Sequence, residues 1–215
     1  MSANSPFYGG RDTGYASWRA LAWGRWPVAG PPPYLRSPAH YEEVLGVLGE
    51  SGALVDPATV FWDVRPAARR PTVEVRVADM TGTAAESAVL AALIRALVAV
   101  SLREAERGEP APAPSAEVLR AAYWRAARDG LEGMALDVVS GKAVRGAVLA
   151  ERMVAHARPA LERYGDTLLV ESGMRRLLEY GCGAARQRAA AARAGTLAGA
   201  VRHLAEQTCA PGPPG

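Results

Sequence analysis

The spacing of apolar residues changes character near residue 80 of this chain, and that change limits the folds open to it. Before it lie two short runs with a period of two. In the first, Val60, Trp62 and Val64 share one face while Phe61, Asp63 and Arg65 share the other. In the second, Val73, Val75 and Val77 alternate with Thr72, Glu74 and Arg76. Successive side chains of a strand point to opposite faces, so each run reads as a half-buried strand. A Val/Trp face is expected to be buried, with acids and arginines presented on the opposite face. The loop Pro66–Pro71 between them predicts a hairpin.

Beyond residue 80 every periodicity is helical. Thr83 and Glu86 form a capping box ahead of a helix whose apolar stripe is Val89, Leu93, Leu97 and Val100. Glu109–Pro114 is a Pro/Ala connector. Ser115 then caps a helix through Leu119, Tyr123, Trp124 and Ala127 that stops at Asp129-Gly130. The pattern predicts further helices over Ala147–Tyr164, with Pro159 as a kink or break, and over Thr167–Tyr180, Ala184–Arg193 and Leu197–Thr208. An earlier helix is expected from Pro38 to Ser51, through Tyr41, Val44, Leu45 and Leu48. The fold class is therefore α+β: a small antiparallel hairpin or sheet followed by a mostly helical C-terminal region. Residues 1–208 read as a portion of one domain, and 209–215 as a disordered tail.

Composition narrows the function. A chain of 215 residues with 49% hydrophobic and 22% charged residues can bury an ordinary globular core. Its net charge of +3 comes almost wholly from arginine, Lys142 being the only lysine. Those arginines are scattered among acids instead of forming a basic run interleaved with aromatics, so no nucleic-acid partner is expected. Cys182 and Cys209 lie outside any CxxC spacing and read as reduced thiols. His40, His156 and His203 are too dispersed for a metal cluster. Met1–Gly10 lacks an apolar leader segment, and the apolar run Val89–Val100 is interrupted by Arg95 and short for a bilayer. The expectation is a soluble, cytoplasmic protein with no membrane partner.

Chemistry concentrates at Thr72-Val73-Glu74-Val75-Arg76. Glu74 and Arg76 share a strand face, and a paired hairpin brings Arg65 to the same face. A carboxylate can hold Mg²⁺ while guanidinium groups fork onto phosphate oxygens, which is what phosphoryl-transfer sites require. The same spacing also describes a solvent-facing sheet with cross-strand ion pairs, and spacing alone favours that description. Arg186-Gln187-Arg188, after Gly181 and Gly183, sits at a helix start where carboxylate or phosphate can bind, although an arginine-rich helix is more often a solvated face. In Tyr123–Gly130, Trp124 reads as core, and Arg125 or Arg128 either reaches a site or pairs with Asp129. No Ser/His/Asp set, phosphate-binding Gly loop or zinc spacing is present.

The opening segment is unusual for a terminus. It carries Phe7, Tyr8, Tyr15, Trp18, Trp23, Trp26 and Tyr34 among Gly, Pro and Arg, which predicts burial against another part of the protein. Several of its motifs recur together with later ones: Asn4-Ser5-Pro6-Phe7, Gly10-Arg11-Asp12-Thr13-Gly14-Tyr15-Ala16-Ser17-Trp18-Arg19 and Trp23-Gly24-Arg25-Trp26-Pro27. Trp62-Asp63-Val64-Arg65-Pro66, Thr72–Asp79, Trp124–Gly130 and Gly183–Arg188 follow in order. In order and spacing they resemble the C-terminal half of type 2 glutamate–cysteine ligases, members of the carboxylate–amine ligase family.

The resemblance implies a partial glutamine-synthetase-like fold, a saddle of antiparallel strands backed by helices. It implies an ATP- and Mg²⁺-dependent carboxylate–amine ligase, which activates the γ-carboxylate of glutamate as an acyl phosphate for attack by cysteine or another amine. In that frame Glu74 is a Mg²⁺ ligand and Arg76 a phosphate contact. Arg65, Arg19 and Arg186, with the adjacent Gln187, are candidates for phosphate or substrate carboxylate. Family members carry a further stretch with a Gly-x-Glu-x-Glu strand and a His-x-His strand that supply other ligands, and those motifs are not found here. The expectation is a chain that is incomplete alone: a truncated frame, a degenerate copy or one half of a split enzyme. It would then need an N-terminal partner chain or a homo-oligomer. The alternative is a non-catalytic, mostly helical interaction protein.

Overall fold

The computed structural model describes residues 3–54, 60–67 and 70–209. Its elements run β1 (Phe7–Tyr8), β2 (Arg11–Asp12), α1 (Trp18–Trp23), β3 (Ala29–Gly30), α2 (Pro38–Glu50), β4 (Phe61–Trp62), β5 (Val64–Pro66) and β6 (Val73–Val75). The second part comprises α3 (Ala84–Glu106), α4 (Ala116–Asp129), β7 (Met134–Asp137), β8 (Lys142–Arg145), α5 (Gly146–Tyr164), α6 (Thr167–Tyr180), α7 (Gly183–Ala194) and α8 (Leu197–Cys209). The α+β class holds, with the helical content concentrated after residue 83.

Among the described residues the strands form four two-stranded ladders: β1–β2, β5–β6 and β7–β8 antiparallel, and β3–β4 parallel. The predicted hairpin is β5–β6, in the register Val64↔Val75, Arg65↔Glu74 and Pro66↔Val73. Asp63 joins two ladders. Its N–H donates to Gly30 O at 2.8 Å, and its carbonyl accepts from Arg76 N at 2.7 Å. A single long strand is thereby split into β4 and β5. The expected burial changes with it: Val60 and Trp62 are buried as predicted, but Asp63 is buried too, while Val64, Val73 and Val77 are exposed. The second strand thus has no buried valine face. Only two residue pairs form in β3–β4 and three in β5–β6, too few to impose a strict inward/outward alternation.

The main core lies between α3, α5 and α6. Leu93, Leu161, Val170 and Met174 anchor it, and Ala92, Ala96, Ala150, Ala157 and Ala160 fill the closest approaches. Small residues let helix backbones come together: a Cβ on Gly173 of α6 would collide with Val89 of α3. The stripe read from the sequence is correct at Val89 and Leu93, and Leu97 and Val100 pack at its margin. At 23 residues α3 is longer than its apolar run suggested, and by length and composition it could cross a bilayer. Here its inner face is part of the core. The capping expectations hold, with Thr83 Oγ1 accepting from Glu86 N and Ser115 Oγ from Val118 N.

Three helical expectations need correction. The β7–β8 hairpin lies in a stretch expected to be helical. Asp137 organises its turn, accepting from Val139 N and Ser140 Oγ, and Gly141 supplies a φ of 69°. Pro159 does not end a helix, because α5 continues through it to Tyr164. Ala157, Ala160 and Leu161 around it are packed against the core, which offsets the lost backbone bond. Cys209 is the last residue of α8, whereas the rest of the expected disordered tail, 210–215, lies outside the described residues.

A smaller cluster of Val28, Leu54, Val60 and Trp62 packs beneath α2 through Tyr41, Val44, Leu45 and Leu48. The opening segment is held by α4 and α7, as its aromatic content predicted. Ser17 N donates to Ala127 O at 2.8 Å, Ala16 N to Arg128 O at 3.1 Å, and Ala184 N to Ala3 O at 2.9 Å. Tyr8, Trp26 and Tyr34 nonetheless remain exposed.

Candidate functional site

The β5–β6 hairpin sets Arg65 opposite Glu74. Arg65 Nε donates to Glu74 Oε2 at 2.9 Å, and Nη2 lies 2.9 Å from the same oxygen. Arg65 is further fixed by Val60 O and is mostly buried, while Glu74 is about half exposed. The cross-strand ion pair among the readings of this spacing is therefore present. It leaves a half-exposed carboxylate on the hairpin, with a mostly buried cation behind it.

Arg76 is placed differently. No recorded contact joins it to Glu74. Its guanidinium lies 5.9 Å from the Trp23 ring and 5.6 Å from the Phe61 ring. Among the described residues no hydrogen-bond acceptor or carboxylate pairs with that guanidinium. Ring faces orient a guanidinium without neutralising it. Arg19 adjoins it, donating from Nη2 to Arg76 O at 2.6 Å and lying 3.8 Å from Asp79.

Arg19 also lines a cavity of about 280 Å³ between α1, α4 and β3, together with Trp23, Asp63, Tyr123 and Trp124. Burial raises the pKa of Asp63, opposed by the charges of Arg19 and then Arg76. Among the described residues no hydrogen bond or ion pair reaches its carboxylate. Tyr123 is pushed up to about 12, by burial and then by the charge of Asp63. The Asp63 carboxylate thus faces the cavity without a partner, in a setting that penalises its charge, while Arg19 on the same cavity is engaged by Arg76 O and Asp79.

Asp79, four residues beyond β6, holds these parts in place. Its buried carboxylate accepts from Asn4 N and Ser5 Oγ at 2.8 Å and from Ser17 Oγ at 2.9 Å. Ser17 also caps α1 through Ala20 N, so the start of the helix that carries Arg19 and Trp23 is tied to the end of the hairpin.

Arg186 and Gln187 lie elsewhere. Arg186 Nη1 is 2.6 Å from Glu86 at the start of α3, and its Nε has no partner beside a cavity of about 20 Å³, room for one water. Gln187 Nε2 donates to Asn4 O at 2.8 Å and Asn4 Oδ1 at 2.7 Å. Arg188 forks onto Asp12 at 2.7 Å for both bonds, which holds the Asp12 carboxyl below its ordinary value. This helix start is not a solvated face; it grips the opening segment. No recorded contact joins Arg186 or Gln187 to Glu74, Arg65 or Arg76. Trp124 is exposed, not core: Arg128 stacks on it at 4.5 Å, and Nε1 donates to Tyr15 Oη at 3.3 Å. Arg125 and Arg128 both pair with Asp129.

Sequence reasoning passed over Asp63, Asp79 and Tyr123. The available signal for Asp63 was its place between Trp62 and Val64 on the face of Arg65; nothing local marks Tyr123. Among the described residues no three His, Cys, Asp or Glu side chains converge on a metal-sized space. Mg²⁺ retains several waters and takes one or two carboxylates together with substrate phosphates. The half-exposed carboxylate of Glu74 is compatible with one such position.

The α+β scaffold thus carries a half-exposed carboxylate backed by arginine on the hairpin, and an aromatic-walled cavity that the Asp63 carboxylate faces. Residues 1–207 match the sequence model of glutamate-cysteine ligase family 2, and the chain belongs to that family. A protein of Mycobacterium sp. strain KMS, provisionally named glutamate–cysteine ligase 2-2, is 45% identical over 98% of this chain and 58% of its own length. A relative from Saccharopolyspora erythraea, provisionally named glutamate–cysteine ligase 2-1, is 46% identical over 97% of this chain and 55% of its own length. One from Frankia casuarinae is 43% identical over 92% of this chain and 23% of its own length. The chain therefore spans little more than half the length of the first two.

Proposed function

We propose that this chain supplies part of the active site of an ATP-dependent carboxylate–amine ligase of the glutamate–cysteine type. The observation that carries the reading is the hairpin: Arg65 clamps Glu74 at the surface, and Arg76 on the following residues has no anion of its own. Bound ATP and Mg²⁺ would supply the phosphoryl group and the charge neutralisation that turn a γ-carboxylate into an acyl phosphate. Glu74 contributes one oxygen ligand, oriented by Arg65. Arg76 and Arg19 present guanidinium groups to phosphate or substrate carboxylate oxygens, where fixed cations stabilise charge developing in the transition state. The rings of Trp23 and Phe61 hold Arg76 without neutralising it.

Glutamate and cysteine, or another amine, are the proposed substrates, and the rest of the ligand set comes from protein outside this chain. That protein is either a further segment or a second chain. The test is ADP release from ATP in the presence of glutamate, cysteine and Mg²⁺. This chain is assayed alone and as a graft that replaces the matching segment of a full-length relative. Turnover by the graft with little by the chain alone supports the reading, and an inactive graft beside an active parent contradicts it.

A further inference from the structure

The outward face of α3 is apolar although it faces water. Between Glu86 and Arg103 the only ionisable residue is Arg95, and 28% of the helix's most apolar 18-residue window is buried. A helix face left to solvent normally carries charged and polar side chains, so a long apolar one marks a contact. The exposed positions Ala84, Ala88, Ala91, Arg95, Val98 and Leu102 follow one another in steps of four and three. That spacing is the seam of a coiled coil. The seam is graded in size, with alanines at its N-terminal end and Val98 and Leu102, 42% and 59% exposed, at the other. Arg95 lies folded onto its own chain, paired with Asp166 and 4.8 Å from the Tyr164 ring.

This grading selects the occupant. We propose that two copies of the chain associate through antiparallel α3 helices, about a twofold axis midway between Ala91 and Arg95. Turned end for end, the second helix sets Leu102 of one copy against Ala84 of the other, Val98 against Ala88 and Arg95 against Ala91. Every large side chain then meets an alanine, and the twofold makes each contact twice. Small residues on both sides let the axes approach to about 8 Å, the close end of helix packing. Charge agrees with this direction. Exposed Glu106 at the end of one helix comes near the positive N-terminus of the other, and each Arg95 reaches the axis with the Asp166 carboxylate already beside it. A parallel pair would set leucine on leucine and alanine on alanine, with the helix dipoles aligned. The association does not depend on the ligase reading.

Sedimentation velocity of the full chain across a concentration series tests the association, and cysteine cross-linking tests its direction. The chain should sediment as a dimer that dissociates on dilution. Leu102→Glu, at an exposed position, should weaken the dimer by about a hundredfold or more while keeping the parent's circular-dichroism spectrum, because it buries an unpaired charge against alanine. In a Cys209→Ser background, Ala88→Cys combined with Val98→Cys should cross-link the dimer under mild oxidation, since opposed positions fall within disulfide reach. Val98→Cys alone should not, because the two copies of residue 98 lie far apart along an antiparallel seam. A monomer at every concentration overturns the proposal, as does a dimer indifferent to Leu102→Glu. Cross-linking by Val98→Cys alone, or binding to neutral lipid vesicles without self-association, overturns it equally. Loss of ligase activity in the graft leaves these outcomes unchanged, so the two readings fail separately.

Discussion

The carboxylate of Asp79 accepts a hydrogen bond from Ser17 Oγ at 2.9 Å across 62 positions of sequence, and the same group holds Asn4 and Ser5. Hydrogen bonds to a buried charged acceptor are each worth about 1.5–3 kcal/mol, and they are not additive. Asp79→Ala is expected to destabilise the chain by about 3 kcal/mol in urea unfolding. It should also release the opening segment to proteolysis. A loss below ~0.5 kcal/mol would show that this carboxylate is not the tie described.

Asp63 should behave in the opposite sense. Its folded pKa is raised, so below the ordinary aspartate value both states hold the proton and stability is unaffected. As pH rises from there through the folded pKa, stability falls, and the whole penalty is present at neutral pH. Asp63→Asn is therefore expected to raise Tm at pH 7 by about 2–4 °C, the equivalent of ~1 kcal/mol at this chain length. The gain should vanish below about pH 4. A lower Tm at pH 7 would mean that the carboxylate has a stabilising partner.

Pro159 interrupts the hydrogen bonds of α5 on its exposed side. Pro159→Ala restores the missing N–H and removes the ring's clash with the preceding turn. A gain of about 1–3 kcal/mol is expected in thermal unfolding, within the range a helix-interior proline costs. No gain would show that the turn has relaxed around the ring.

Gly183 begins α7 directly beneath Asn4, whose side chain a Cβ at this position would strike. Gly183→Ala should displace Asn4 and break its bonds to Gln187 and Asp79. A loss of about 1–3 kcal/mol, as for overpacked cores, is the expected outcome of urea unfolding. Gly46→Ala, with open space around the position, serves as a control for the substitution itself.

The helices and the β5–β6 hairpin were legible because their signals are local: capping residues, a 3.6-residue stripe and a period of two. The β7–β8 hairpin was not, since Met134-Ala135-Leu136-Asp137 is too short to separate strand from helix by periodicity. Pro159 misled because tertiary packing overrode a local preference. Residue types in the site were legible but their pairing was not. Glu74 and Arg76 share a face in the sequence pattern, yet the register gives Glu74 to Arg65 and the rings of Trp23 and Phe61 hold Arg76. The cavity could not be read at all, because Arg19, Asp63 and Tyr123 meet only through long-range contacts.

The central claim is that this chain's hairpin works in glutamate–cysteine ligation, and the direct measurement is γ-glutamylcysteine formed from glutamate, cysteine and ATP, followed by mass spectrometry. The protein is a full-length relative in which this chain replaces the matching segment, compared with the same graft carrying Glu74→Gln or Arg76→Ala. The graft should form the dipeptide, and each substitution should lower kcat by about a hundredfold or more, the scale of losing one transition-state contact. Product formed equally well by both variants, or no product from a graft whose parent is active, would contradict the account.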